Sequence, residues 1–200
     1  MDIRSKRTQT KENNRRVILD AARGVFGRDG YRTATVRDII NATPLASGTF
    51  YNYFRSKEEV YAALRDEIAH EVRPLLRTER QRAQTADDFV AATFRTFLSQ
   101  AQRRAQSLAA IDLRDDQMLA GMRMIVMGGD DLRRDIEAAT ERGLFPKLDA
   151  ELLAAAIVGI AFEVADVMRQ RQHTDVNRAA QFCSELILRG VTSVPVEGDR

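Results

Sequence analysis

Ser47, Thr49, Tyr51 and Asn52 stand within six consecutive positions and carry three hydroxyls and one carboxamide. Such groups both donate and accept hydrogen bonds, the chemistry needed to meet base edges and phosphate oxygens in a DNA groove. Gly48, between them, has no side chain and lets backbone come close to a phosphate. Asn52 is the one amide available as a base reader, and no arginine precedes Arg55 in this stretch. The competing assignment is a small helical subdomain in which Tyr51, Tyr53 and Phe54 simply pack.

Catalytic chemistry finds less to stand on. His70 and His173 lie far apart, and neither sits in an HExxH spacing that would hold a metal. Cys183, the single cysteine, falls on an Ala-rich helical pattern and suits a small buried apolar residue better than a nucleophile. Gly128-Gly129-Asp130-Asp131 looks like a cyclase fragment but lacks the flanking strands. No Gly-rich phosphate loop follows a strand, and no convincing strand is visible. The sequence predicts no cofactor and no metal.

The elements that must position the hydroxyl cluster are helices. Between Arg15 and Arg28, Val17, Ile18, Ala21, Ala22, Val25 and Phe26 recur at helical spacing. Asp29-Gly30 ends that helix, with Gly30 suited to a left-handed position just past it. Thr33 or Thr35 caps a short second helix bearing Val36, Ile39 and Ile40. Pro44 then breaks the chain. A third short helix, from about Ala46 to Phe54, turns Phe50 and Phe54 inward and Ser47, Tyr51 and Asn52 outward. Two short helices joined by a tight turn describe a helix-turn-helix, whose second helix enters the major groove.

Charge falls where such a motif needs it. Residues 1–57 hold twelve Lys and Arg against five acids, a charge of +7, whereas the remainder is −5. A basic head points to a polyanionic partner. The basic arm Arg4, Lys6, Arg7 and Lys11 either reaches along a duplex or stays disordered.

The run Gly30-Tyr31-Arg32-Thr33-Ala34-Thr35-Val36-Arg37-Asp38-Ile39-Ile40 resembles the first half of the tetracycline-repressor (TetR) family signature, and Ser47-Gly48-Thr49-Phe50-Tyr51-Asn52-Tyr53-Phe54-Arg55-Ser56-Lys57-Glu58-Glu59 resembles the second. The resemblance covers roughly residues 15–60. It implies a homodimeric transcriptional regulator, usually a repressor released from its operator by a small ligand. By the same resemblance, Thr35 and Arg37 correspond to phosphate contacts at the start of the second helix. Ser47, Gly48, Thr49, Tyr51, Asn52 and Tyr53 correspond to recognition-helix contacts, and Lys57 to a lysine gripping the DNA backbone. Two positions depart from the family pattern: Pro44 replaces a turn glycine, and Ala46 replaces the serine that caps the recognition helix. Ser47 takes over the cap if that helix starts one residue later.

The expected fold class is therefore all-α: a helix-turn-helix domain over residues 1–57, then a helical effector-binding and dimerisation domain over 58–200. Ser56 and Glu59 form a capping-box pattern opening a helix through Val60, Leu64, Ile68 and Val72, with Pro74 kinking or ending it. Asp87-Asp88 opens the next. Gly128-Gly129 either interrupts a helical run between Met118 and Gly143 or admits a neighbouring backbone. Leu152, Leu153, Ala156, Ile157, Ile160, Val164 and Val167 make an apolar stripe too wide for one buried side. The resemblance pairs helices near 150–171 and 175–190 with their symmetry mates as a four-helix bundle.

By resemblance, an effector would sit inside the second domain. The apolar candidates for lining it are Phe89, Phe94, Phe97, Met118, Met122, Met127 and Phe162, residues that also suit ordinary core. The polar candidates are His70, Arg95, Asp112, Arg114, Gln117, Glu163 and Asp166. An apolar or amphipathic effector is the expectation. The alternative is a DNA-bound adaptor of the same fold, acting through a protein partner without any effector. No apolar run reaches the ~18 residues of a membrane span, and the longest, Leu152 to Phe162, has the length of a buried helix. No signal peptide is visible, so a cytoplasmic location is expected.

Overall fold

Helices account for every regular element in a computed structural model that describes residues 3–103, 128–171 and 175–191. In chain order these are α1 (Ile3–Asp29), α2 (Val36–Asn41), α3 (Ser47–Tyr51), α4 (Lys57–Arg82), α5 (Ala86–Arg103), α6 (Gly129–Glu141), α7 (Ala150–Arg171) and α8 (Val176–Val191). The chain divides into two compact units, and the division falls inside α4, between Glu67 and Ile68.

The first unit packs α1, α2, α3 and the start of α4 around one apolar cluster. Ile18, Leu19, Ala22, Val25 and Phe26 from α1 meet Ile39, Phe50, Phe54, Val60 and Leu64, all buried. Aromatic rings pack within this cluster: Tyr31 stands edge-on to Phe26 at 5.4 Å and tilted against Tyr61 at 4.5 Å. Gly30 ends α1 at φ 78°, and its amide donates to the Phe26 carbonyl at 3.0 Å. Helix α1 begins far earlier than its apolar periodicity does. Residues 3–14 continue it as helix, so the basic arm is neither extended nor irregular.

In the second unit α5 packs most extensively on α8 and also on α7, while α6 packs on α7. Phe89, Val90, Phe94, Phe97 and Leu98 of α5, Leu132 and Ile136 of α6, and Ile157 and Ala161 of α7 form its core. Helix ends are closed by side chains. Thr85 and Asp88 cap α5 reciprocally, at 3.0 and 3.1 Å. Asp149 accepts from the amides of Glu151 and Leu152, and Asp175 from that of Asn177. Pro74 lies inside α4 without ending it. Gly128 caps α6 in the left-handed region at φ 65°, and a Cβ there would come within 2.9 Å of Arg73 Nε. The glycine pair is thus a helix start with a close approach, and Asp131 behind it binds Arg73 at 2.5 Å. Met118, Met122, Met127, Asp112, Arg114, Gln117 and His173 lie outside the described residues.

Candidate nucleic-acid interface

The turn between α2 and α3 accommodates Pro44 through Thr43. The Thr43 hydroxyl donates to the Ile40 carbonyl at 2.9 Å and accepts from the Leu45 amide at 3.2 Å. That closes the turn without glycine. Helix α3 begins at Ser47, with Ala46 in the capping position, extended and without a side-chain hydrogen bond. The helix does not start one residue later, so Ser47 lies within it rather than at the cap. The Ala46 carbonyl accepts instead from Thr49 and Phe50, at 2.8 and 3.3 Å. The helix is also shorter than expected, reaching Tyr51 and ending in a cap at Asn52.

Buried Phe50 and Phe54 fix which side of α3 faces out. Arg15 lies over the Phe54 ring at 5.6 Å and closes that edge of the cluster. Ser47, Gly48, Tyr51 and Asn52 are exposed, Tyr51 at 56%, whereas Thr49 and Tyr53 are half-buried. A Cβ on Gly48 would meet nothing within 4 Å, so open space lies over that backbone.

Helix α2 presents a second exposed group beside this one. Thr35 and Asp38 form a capping box: the Asp38 amide donates to Thr35 Oγ1 at 3.3 Å and the Thr35 amide to Asp38 Oδ2 at 2.9 Å. The Thr35 hydroxyl also donates to Asp38 Oδ2 at 2.6 Å, and these bonds hold the Asp38 carboxyl below its usual range. Thr35 and Arg37 are both exposed.

The basic residues of the head divide by what they already hold. Arg15 pairs with Glu67 at 3.3 Å, Arg23 pairs with both Asp20 and Glu67, and Arg28 with Asp29 at 2.8 Å. Arg37 and Arg55 are exposed and enter no salt bridge among the described residues. Lys57 Nζ donates to the carbonyls of Tyr31, Arg32 and Ala34, at 3.0, 3.2 and 3.0 Å. Ser56 caps α4 as expected, accepting from the Glu59 amide at 3.3 Å. The Glu59 carboxylate in turn accepts from the Arg55 amide at 2.8 Å, one residue earlier than a standard box.

In the second unit Phe89, Phe94, Phe97 and Phe162 are all buried, with Phe97 and Phe162 4.8 Å apart and Phe89 set edge-on to Phe145 at 5.4 Å. Of the polar candidates, His70, Arg95 and Glu163 are exposed, and Asp166 binds Arg169 and Gln170 on its own helix. An open groove of ≈ 610 Å³ runs between α5 and α8, and Arg95 is the one predicted residue that lines it. Cys183 is fully buried and its thiol is pushed up to about 11, which suits an unreactive core residue. Sequence reasoning missed Arg80, 1% exposed, whose Nε donates to Asp135 at 2.8 Å. Its signal was the spacing of Arg73, Arg77 and Arg80 along one helix. Among the described residues no cluster of His, Cys, Asp or Glu could hold a metal, and no helix is long and apolar enough to cross a membrane.

Residues 18–64 match the family model described as bacterial regulatory proteins, tetR family. Over those residues the chain resembles the N-terminal domain of that family. The HTH-type transcriptional repressor KstR2 of Rhodococcus jostii is 42% identical over 53 residues, 26% of either chain. The match thus spans about a quarter of the curated relative's length. Among solved structures, a tetR-family regulatory protein from Rhodococcus RHA1 aligns at TM-score 0.70 with 26% identity, covering 89% of this chain and 96% of the other. AibR, solved in complex with isovaleryl coenzyme A and operator DNA, aligns at TM-score 0.68 with 16% identity, over 86% and 97% of the two chains. The TetR-type fold therefore extends across the second unit as well as the head. The curated relatives that match the head carry the name HTH-type transcriptional repressor.

Proposed function

We propose that this chain is a cytoplasmic transcriptional repressor that binds an inverted-repeat operator as a homodimer and leaves it when a small apolar or amphipathic ligand binds. The observation that carries the reading is the outward face of α3. Ser47, Gly48, Tyr51 and Asn52 are exposed on a helix anchored from behind by Phe50 and Phe54. Thr49 and Tyr53 flank that face, and Thr35 and Arg37 on α2 with Arg55 supply phosphate-binding groups.

A dimer is supported by the second unit. Leu152 and Val167 on α7 and Phe182 and Leu186 on α8 are large apolar side chains left exposed, Leu152 at 68% and Phe182 at 63%. Gly159, in the middle of α7, has open space where a Cβ would be. Two helices with apolar outer faces and a small residue between them suit close packing against a second copy. A dimer would set two recognition helices on half-sites about one helical turn of DNA apart. Phe89, Phe94, Phe97 and Phe162 supply the apolar surroundings for an effector, and the coenzyme A thioester bound by AibR has the amphipathic character proposed here.

The experiment is selection of binding sites from a random-sequence duplex pool, followed by gel-shift titration of the recovered site. An inverted repeat whose binding is lost in Tyr51→Ala supports the reading. Equal binding by Tyr51→Ala and the parent chain would exclude α3 as the recognition helix.

A further inference from the structure

Lys57 opens α4, yet its ammonium faces back into the head. A lysine ammonium has three N–H donors and no acceptor, and three carbonyl oxygens, those of Tyr31, Arg32 and Ala34, stand 3.0, 3.2 and 3.0 Å from Nζ. The Tyr31 ring lies 4.7 Å away on another side. Gripping a phosphate would require giving up one of these bonds.

The carbonyls belong to the stretch between α1 and α2, which has no helical hydrogen-bond ladder of its own. The neighbouring residue of α4 holds the same stretch by a side chain: Tyr31 donates its hydroxyl to Glu58 Oε1 at 3.1 Å. Ala34, the last of the three residues whose carbonyls accept from Lys57, immediately precedes Thr35, the cap of α2. The start of α4 therefore fixes the start of α2.

We propose that Lys57 is a positioning residue of the head, gathering the Tyr31, Arg32 and Ala34 carbonyls so that Thr35 and Arg37 meet DNA phosphates, and that it is not itself a phosphate contact. The proposal rests on the DNA-binding reading above for its functional part, whereas the clamp itself can be measured without DNA. Arg37 and Arg55, exposed and outside any salt bridge among the described residues, are two groups beside α2 and α3 able to carry the phosphate charge.

The test uses the full chain with Lys57→Met, which keeps the stem and removes the donors, and Lys57→Arg, which keeps the charge but cannot direct three N–H groups to one converging point. Two measurements are made on each: amide hydrogen exchange of residues 31–41, and affinity across a salt series for a duplex selected from a random pool. A clamp predicts that both variants speed exchange at Ile39 and Ile40 at least tenfold. It also predicts that both lose at least tenfold in affinity while the slope of log affinity against log salt stays unchanged. A Lys57→Met, Thr35→Ala double variant would then bind no worse than the weaker single variant, because both act on the same helix start. A phosphate contact predicts the opposite: unchanged exchange, near-normal binding by Lys57→Arg, and a slope shallower by about 0.9 in Lys57→Met. That result would overturn the proposal. Should Lys57→Met unfold the head, Lys57→Arg carries both measurements. Should the parent chain bind no duplex, the DNA reading fails, and exchange alone still decides whether the clamp exists.

Discussion

Gly48 separates the needs of the fold from those of recognition. Among the described residues nothing lies within 4 Å of a Cβ built there, so a methyl group meets none of their atoms. Alanine is also the better helix former by up to about 1 kcal/mol. Gly48→Ala should therefore leave the melting temperature unchanged or slightly raised while weakening operator binding at least tenfold, checked by calorimetry and gel shift on one preparation. Asp38 supplies a pH prediction. Its folded-state pKa lies below its ordinary value because Thr35 hydrogen-bonds the ionised form. The stability it contributes is thus present above pH ~4 and lost as pH falls through the folded value. Glu58 is shifted in the same direction by its own backbone amide, Ser56 and Tyr31. Thr35→Ala should cost the head about 1 kcal/mol near neutrality and flatten its loss of stability between pH 5 and 3, as followed by thermal melts. Most of this was legible at residue level: Thr35 as a cap, Gly30 as a stop and Phe50 as an anchor follow from type and spacing. The partners of Lys57 were not, because a lysine at a helix start offers the same local pattern whether it reaches outward or folds back.

At the scale of elements, periodicity located helices better than it located their ends. Helix α1 continues through a polar stretch, residues 3–14, that carries no apolar stripe to announce it. Pro74 stays inside α4, since one missing amide costs less than ending a helix whose flanking turns bury Val72 and Leu76. Asp87-Asp88 marked the start of α5 in the sequence, whereas the α4–α6 ion pairs were not legible, because residues 58 and 55 positions apart share no local signature. Those pairs have unequal halves. Burial pulls the Arg80 pKa below the ordinary arginine value, its Nη1 finds no hydrogen-bond partner among the described residues, and Asp135 holds its Nε. Asp135→Asn leaves that charge buried and uncompensated and should cost about 3–5 kcal/mol. Arg80→Met removes charge and orphaned donor together and should be neutral or stabilising. Urea unfolding of the two variants measures both, and equal destabilisation would contradict this account of the pair.

For the molecule as a whole, the near-zero net charge hides a basic head joined to an acidic remainder. Exposed apolar side chains concentrate on the last two helices of that remainder: of the six large ones among the described residues of the whole chain, four lie on α7 and α8. Leu152→Glu with Phe182→Glu should yield a folded monomer by sedimentation, and its operator affinity should fall by more than tenfold, since each head then binds one half-site alone. The stripe on α7 could be read from sequence as wider than one buried side. Which residues of it face outward could not, because intrachain packing and a second copy select the same residue types.

The most direct measurement is the affinity of the full chain for its selected duplex across 50–300 mM salt. A dimer whose two heads each contact several phosphates should give a log–log slope of about −5 or steeper, at roughly −0.9 per phosphate. The slope should become shallower when Arg37 and Arg55 are replaced by glutamine. Binding indifferent to salt, or a slope unchanged by both replacements, would contradict the assignment of α2 and α3 as the DNA-binding surface.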